Sequence, residues 1–232
     1  MKTFDSESFQ MQYQIADVAA DLYVAGAGDF TLKDVAKELD IDVGEIFNYF
    51  PNKKDILQFY YASLAVRYEF MIDEIDDFES YSISEKLSNF AYASFDMFAE
   101  KQVFVEDTFD ELITRNCART EFEEEIERLV KRFLESDKHI SLSSSIALNG
   151  YFYAFLRRQY LSLVKFWLND ESENHELTMQ LTDKLTGFLQ ELMYNPIADK
   201  SLDLVKFMYA NKKSFLTNIP FVKQIFSKIE IR

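Results

Sequence analysis

Cysteine occurs once in this chain, at Cys117, so no internal disulfide can form and a reducing, cytoplasmic setting is expected. Only five glycines and three prolines occur in 232 residues. With few alternating apolar–polar runs besides, that scarcity points to an all-α protein. Histidine is limited to His139 and His175, far apart and without metal-ligand spacing. No glycine-rich phosphate loop, nucleophile elbow or paired-carboxylate motif occurs. No catalytic or metal-ligating residue is therefore assigned, no cofactor is expected, and the chain does not read as an enzyme. A cleavable signal and an apolar run of about 18 residues are also missing, so nothing indicates export or membrane spanning.

Positive charge is scarce as well. The formal net charge is −15, and between Met1 and Asp55 eleven acids face five lysines, a net −6. A DNA-binding surface ordinarily carries a basic footprint, because neutralised phosphates supply much of its affinity. Any positive patch here must be local, with Lys33, Lys53 and Lys54 as its candidates.

What the chain does have is apolar residues, 48% of the total, with 23 Phe and 13 Tyr. That suffices for one large helical domain, or two small ones sharing a long helix. The most informative stretch runs from Thr31 to Leu57. Thr31 precedes an amphipathic run with Leu32, Val35, Ala36 and Leu39 at helical spacing, and with Asp34 it forms a variant capping box. Asp40 and Ile41 make a turn, Ile41 serving as an apolar plug between two helices. Asp42 caps the next helix, with Glu45 at its N3 position as a second capping box. Gly44 lies in the first turn, and Ile46 and Phe50 face the core. Pro51 stops this helix and Asn52 caps another, beginning at Lys53. A helix, a tight turn and a short second helix form the layout of a DNA-binding helix-turn-helix.

In Thr31, Val35, Ala36, Ile41, Gly44, Ile46, Tyr49, Phe50 and Lys53 the chain resembles the TetR family of one-component transcriptional regulators. Upstream, residues 15–23 followed by Gly26 and Gly28 are similar to that family's first helix and the glycine ending it. The resemblance is specific over roughly residues 8–60. It implies a helix-turn-helix three-helix bundle over residues 1–55 and a larger helical ligand-binding and dimerisation domain over 56–232. It also implies DNA contacts from Thr31, Lys33, Asp42, Val43, Glu45, Phe47, Asn48, Lys53 and Lys54. Several of these depart from the family's usual hydroxyl, basic or aromatic polar residues. Asp42 and Glu45 place two carboxylates where a helix N-terminus would attract a phosphate. Phe47 lacks a phosphate-bonding hydroxyl and Val43 lacks a cation. Two readings stay open: the acids are simply good caps, compatible with DNA binding since a carboxylate can accept from cytosine N4, or DNA affinity is weakened or lost.

Further along, Ile56 to Ile75 continues the helix begun at Lys53, with Leu57, Tyr60, Leu64, Tyr68 and Met71 on one side. Ser82 with Glu85 is another capping box, followed by an amphipathic run through Leu87, Phe90, Ala91, Phe95 and Phe98. Phe104, Phe109, Leu112 and Ile113 suggest the next helix. Glu121 to Leu134 carries Phe122, Ile126, Leu129, Val130 and Phe133 at helical spacing, its Glu123–Glu125 run reading as a solvated face. Ile146 to Leu168 is apolar nearly all round and is expected to be buried on more than one side. Leu177, Leu181, Leu185, Phe188, Leu189 and Leu192 form a stripe. These last two elements suit a homodimer interface built as a four-helix bundle. Pro196 to Arg232 is expected to add one or two helices.

The resemblance further implies a small molecule bound between the middle helices. Its binding would shift the two recognition helices away from the roughly 34 Å repeat of B-DNA. Tyr92, Phe95, Phe98, Phe109, Tyr151 and Phe155 are the lining candidates, against the alternative that they are ordinary core residues. Such a lining favours an apolar or aromatic ligand, such as an acyl chain. The expectation is a ligand-responsive regulator, a repressor, binding operator DNA as a homodimer. The alternative is a TetR-like scaffold that holds a hydrophobic ligand or a protein partner with DNA binding weakened or lost.

Overall fold

The computed structural model describes residues 6–116, 118–141 and 148–195, and among them every regular element is helical. Cys117 and the segment from Pro196 to Arg232 lie outside the described residues, as does Ile146.

Four short-range devices set the first four helices. α1 (Ser6–Ala25) ends where Gly28 adopts a φ of 87°, a left-handed conformation that a side chain would strain. α2 (Leu32–Leu39) opens on the Thr31 capping box, whose two halves are both made: the Asp34 N–H donates to the Thr31 hydroxyl and the Thr31 N–H to the Asp34 carboxylate. Asp40 then turns the chain with a φ of 54° into α3 (Val43–Tyr49). Ile41 is half-buried beside this turn, not a sealed plug. α4 (Lys53–Asp73) starts on Asn52, which accepts from the Asp55 N–H and donates back to its carboxylate.

α4 is the axis of the larger of two compact units, residues 1–137 with 149–190. α1, α5 (Ile83–Ala99) and α7 (Glu121–Ser136) all pack on it, and 12 of its 21 residues are buried. The single stripe expected from the sequence is therefore too narrow. Burial wraps around the helix, while Met71, expected inside, is exposed at its far end. α6 (Gln102–Phe109) closes the bundle and runs on as a π-helical turn, Asp110–Thr114. α8 (Gly150–Leu168) packs on α7 and α5, and α9 (Glu176–Tyr194) follows a short turn.

Phe98 and Phe109 are fully enclosed, and Tyr61, Phe98, Phe104, Phe109 and Phe122 form a continuous aromatic cluster with ring centroids 5.7–6.5 Å apart. Polar ties join the helices around it. Arg128 of α7 grips Glu69 of α4 with two guanidinium bonds of 2.9 and 2.6 Å, and Arg132 reaches both Glu69 and Glu79. Burial pushes the Glu69 carboxyl up, but the two arginines outweigh it and hold it below its ordinary value.

The smaller unit, residues 138–148 with 191–232, is described only at 138–141, 148 and 191–195. There the Ser141 N–H donates to the Met193 carbonyl at 3.0 Å, and the His139 and Tyr194 rings lie 5.6 Å apart. No helix among the described residues is long and apolar enough to cross a membrane.

Candidate functional site: helix-turn-helix and cationic cleft

The acidic turn Asp40–Asp42 positions α3 against α2, and Ile46 and Phe50 anchor α3 to the core at 0% and 4% exposure. With one face fixed, the opposite face must point outward. Glu45, Phe47 and Asn48 are exposed, Phe47 at 54%, and Val43 is half-buried. Of the other contact residues expected from the sequence, Thr31, Lys33, Asp42 and Lys54 are exposed as well.

Three of these side chains are already engaged within the protein. The Thr31 hydroxyl donates to the Asp34 carboxylate at 2.7 Å while accepting from the Asp34 N–H, and bonds from Thr31 hold the Asp34 carboxyl below its ordinary pKa. Asp42 accepts from the Gly44 N–H at 2.7 Å, so the cap closes at the helix's second residue. The box expected with Glu45 does not form, and Glu45 stays exposed. A Cβ at Gly44 would stand 2.8 Å from that Asp42 oxygen, so a larger residue there would push the cap carboxylate aside. The Lys53 ammonium donates to the Gly28 and Phe30 carbonyls at 2.7 and 3.0 Å and lies over the Phe30 ring. It fastens α4 to the loop after α1, and among the described residues of this segment Lys33, Lys37 and Lys54 are exposed.

The aromatic residues expected to line one ligand pocket divide between buried and exposed positions. Phe95 stacks on Trp167 at 5.7 Å, and Phe98 and Phe109 fill the aromatic cluster. Tyr92 donates to the Asp183 carboxylate and to the Met179 carbonyl, bridging α5 to α9. Tyr151 and Phe155, at 85% and 52% exposure, stand on the outer face of α8. Helical spacing places aromatic residues on a face without separating core positions such as Phe98 from surface ones such as Phe155.

A cleft does open elsewhere in this domain. About 560 Å³ in volume, it lies between the π-turn, the start of α7 and the middle of α8. Arg119, Arg157, Arg158 and Lys165 line it with Glu123, and Ile113 and Leu161 supply apolar wall. Glu123 also completes the capping box of α7, accepting from the Thr120 N–H at 2.9 Å. The glutamate run at the start of α7 is therefore only partly a solvated face: Glu124 is exposed, whereas Glu123 and Glu125 are half-buried and paired. The sequence signal for the cleft was the Arg157–Arg158 pair, set within an otherwise apolar helix.

The described residues, all helical, place a capped helix-turn-helix on a larger helical bundle, the architecture of helix-turn-helix regulators of the TetR type. The tetracyclin repressor-like C-terminal domain matches residues 86–208, over half of the sequence, and the chain belongs to the TetR family. Among solved structures it is similar to the TetR transcriptional regulator from Nitrosomonas europaea ATCC 19718, with a TM-score of 0.56 and 21% identity over 77% of this chain and 96% of that one. No curated protein matches the sequence.

Proposed function

We propose that this protein is a ligand-responsive repressor that binds a short near-palindromic operator as a homodimer. The observation that carries this reading is the outward face of α3, held at fixed angle by Ile46 and Phe50 and presenting Glu45, Phe47 and Asn48 as a groove-reading surface. Lys33 and Lys54 would contact the flanking phosphates, with Thr31 fixing the start of α2 beside them, and Glu45 would read a cytosine N4 as acceptor. Residues 1–55 form the reading head and 56–232 the ligand and dimer domain. The exposed apolar residues of α8 and α9, among them Phe155, Phe166, Leu185 and Phe188, support the dimer, since apolar patches of this kind mark protein contacts.

A second reading is favoured by one observation: Asp42 and Glu45 stand exposed at the α3 N-terminus, where phosphate would otherwise bind. On that reading the scaffold binds a small molecule or a protein partner and DNA readout is weakened or lost.

Fluorescence anisotropy with duplexes tiled across the region upstream of the protein's own gene, at low salt and at about 200 mM, separates the two. The repressor reading expects saturable, sequence-dependent binding that weakens steeply with salt. Flat curves at both salts, for a folded dimer, would sink it. The Asp42→Ser, Val43→Lys, Glu45→Thr triple variant then asks whether acidity is the obstacle. Removing two acids and adding a cation beside a phosphate should raise non-specific duplex affinity by roughly tenfold at low salt.

A further inference from the structure

We infer that the cleft between the π-turn, α7 and α8 is a binding site for a small organic anion, with a carboxylate or phosphate head and a short apolar body. This rests on reading the larger domain as ligand-responsive, and it assigns that ligand its chemical class.

Volume is the first argument. This cleft offers about 560 Å³, within the roughly 300–1,000 Å³ of small-molecule sites. Charge is the second. In a chain of net −15, four cations line one cleft against a single lining carboxylate, Glu123. Glu127 and Asp110 stand just outside that lining and offset part of the charge, through pairs with Arg119 at 3.0 Å, Arg157 at 3.2 Å and Lys165 at 2.6 Å.

The four cations are not equally committed. Arg157 is 11% exposed and fixed between Glu123 and Glu127, yet its buried Nε has no hydrogen-bond partner, because the 3.5 Å approach of Glu123 lacks hydrogen-bond geometry. Its guanidinium is a part of the wall held between two carboxylates. Arg158 forms no ion pair among the described residues. Lys165 pairs with a half-exposed Asp110, a contact of the kind worth under about 1 kcal/mol, so exchanging that carboxylate for a ligand's costs little. Arg158 and Lys165 are seven residues apart, two turns along the same side of α8. They flank the Ser162 hydroxyl and stand beside Leu161, which with Ile113 gives the apolar body its surface. A long acyl chain would find too little of that surface.

The site's position also supplies a route to the reading heads. Arg158 and Ser162 fall on the same helical stripe as Phe155 and Phe166, the face proposed for the dimer. A ligand held there sits beside the second copy, so occupancy bears directly on how the two copies pack.

Isothermal titration calorimetry on the full chain at low salt tests this with four probes: benzoate, phenyl phosphate, benzamide and inorganic phosphate. Benzoate or phenyl phosphate should bind once per chain, with uncharged benzamide at least about tenfold weaker. Arg158→Gln with Lys165→Gln should weaken the anion by about tenfold or more at an unchanged thermal midpoint. Where that pair alters the oligomeric state, Lys165→Gln alone carries the comparison. Benzamide binding as well as benzoate, affinity surviving in the double variant, or no heat from any anion would overturn the assignment. Inorganic phosphate matching phenyl phosphate would also overturn it, because the apolar body would then contribute nothing. Anion binding with no operator binding would remove the repressor reading and leave the cleft; operator binding with no anion binding would do the reverse.

Discussion

Lys53 lies over the ring of Phe30, 3.8 Å from its centroid, and the same ammonium donates to the Phe30 carbonyl at 3.0 Å. A cation that sequence spacing offers to DNA is thus a fastener between α4 and the loop before α2. Its neighbour Lys54 points outward. Adjacent lysines therefore hold different roles, one in stability and one available for phosphate.

Substitution separates those roles. Lys53→Met removes two charge-assisted bonds and leaves two carbonyls to find water, so it should cost about 2 kcal/mol in urea unfolding. Lys54→Met should stay within about 0.5 kcal/mol of wild type and instead lower the slope of log affinity against log salt by about one. A Lys53→Met protein as stable as wild type would overturn the fastener.

Much of the local architecture is legible in the sequence because it depends on neighbours three or four residues apart. The Thr31–Asp34 and Ser82–Glu85 capping boxes and the Asn52 cap all form at their expected positions. So does the buried face of α7 through Phe122, Ile126, Leu129, Val130 and Phe133. Contacts across large separations are not legible in this way. Gly28 and Lys53 are 25 residues apart, and the Glu123–Arg157 pair joins α7 to α8. Whether an aromatic residue faces a void or another ring is likewise settled by packing, which is why Phe98 and Phe155 looked alike.

Phe98 illustrates the consequence. It is fully buried and meets Tyr61, Phe109, Phe122 and Trp167 at 6.0–6.3 Å between ring centroids. Phe98→Ala should destabilise the protein by about 3–5 kcal/mol, and its unfolding should be measured before any ligand titration. Unchanged stability together with a specific loss of ligand affinity would return Phe98 to a ligand pocket.

Phe188 lies at the opposite extreme, 69% exposed on α9 beside Leu185 at 41% and Leu192 at 48%. An arginine there disturbs no core, but facing its own copy it would set charge against charge and leave both poorly solvated. Phe188→Arg should convert a dimer to monomer in light scattering with the helical signal retained, and operator affinity should fall because two half-sites are no longer read together. A variant that remains dimeric would move the interface elsewhere.

Asp170 sets the pH response of the α8–α9 connection. Its carboxylate accepts from the N–H and hydroxyl of both Ser172 and Thr178, at 2.6 to 3.0 Å. Desolvation raises its pKa, but these four bonds outweigh it and hold the carboxyl well below the usual aspartate range. The sign follows from linkage: a folded pKa below the unfolded one gives stability that is complete above the unfolded value, near about 3.9, and lost as pH falls below it. Asp170→Asn keeps the size of the side chain but loses the charge and one acceptor oxygen. The variant should unfold at lower urea than wild type at pH 7, and the gap should close as pH falls from about 4 towards 2. A gap that stays constant with pH would mean that the carboxylate's charge is not what holds the turn.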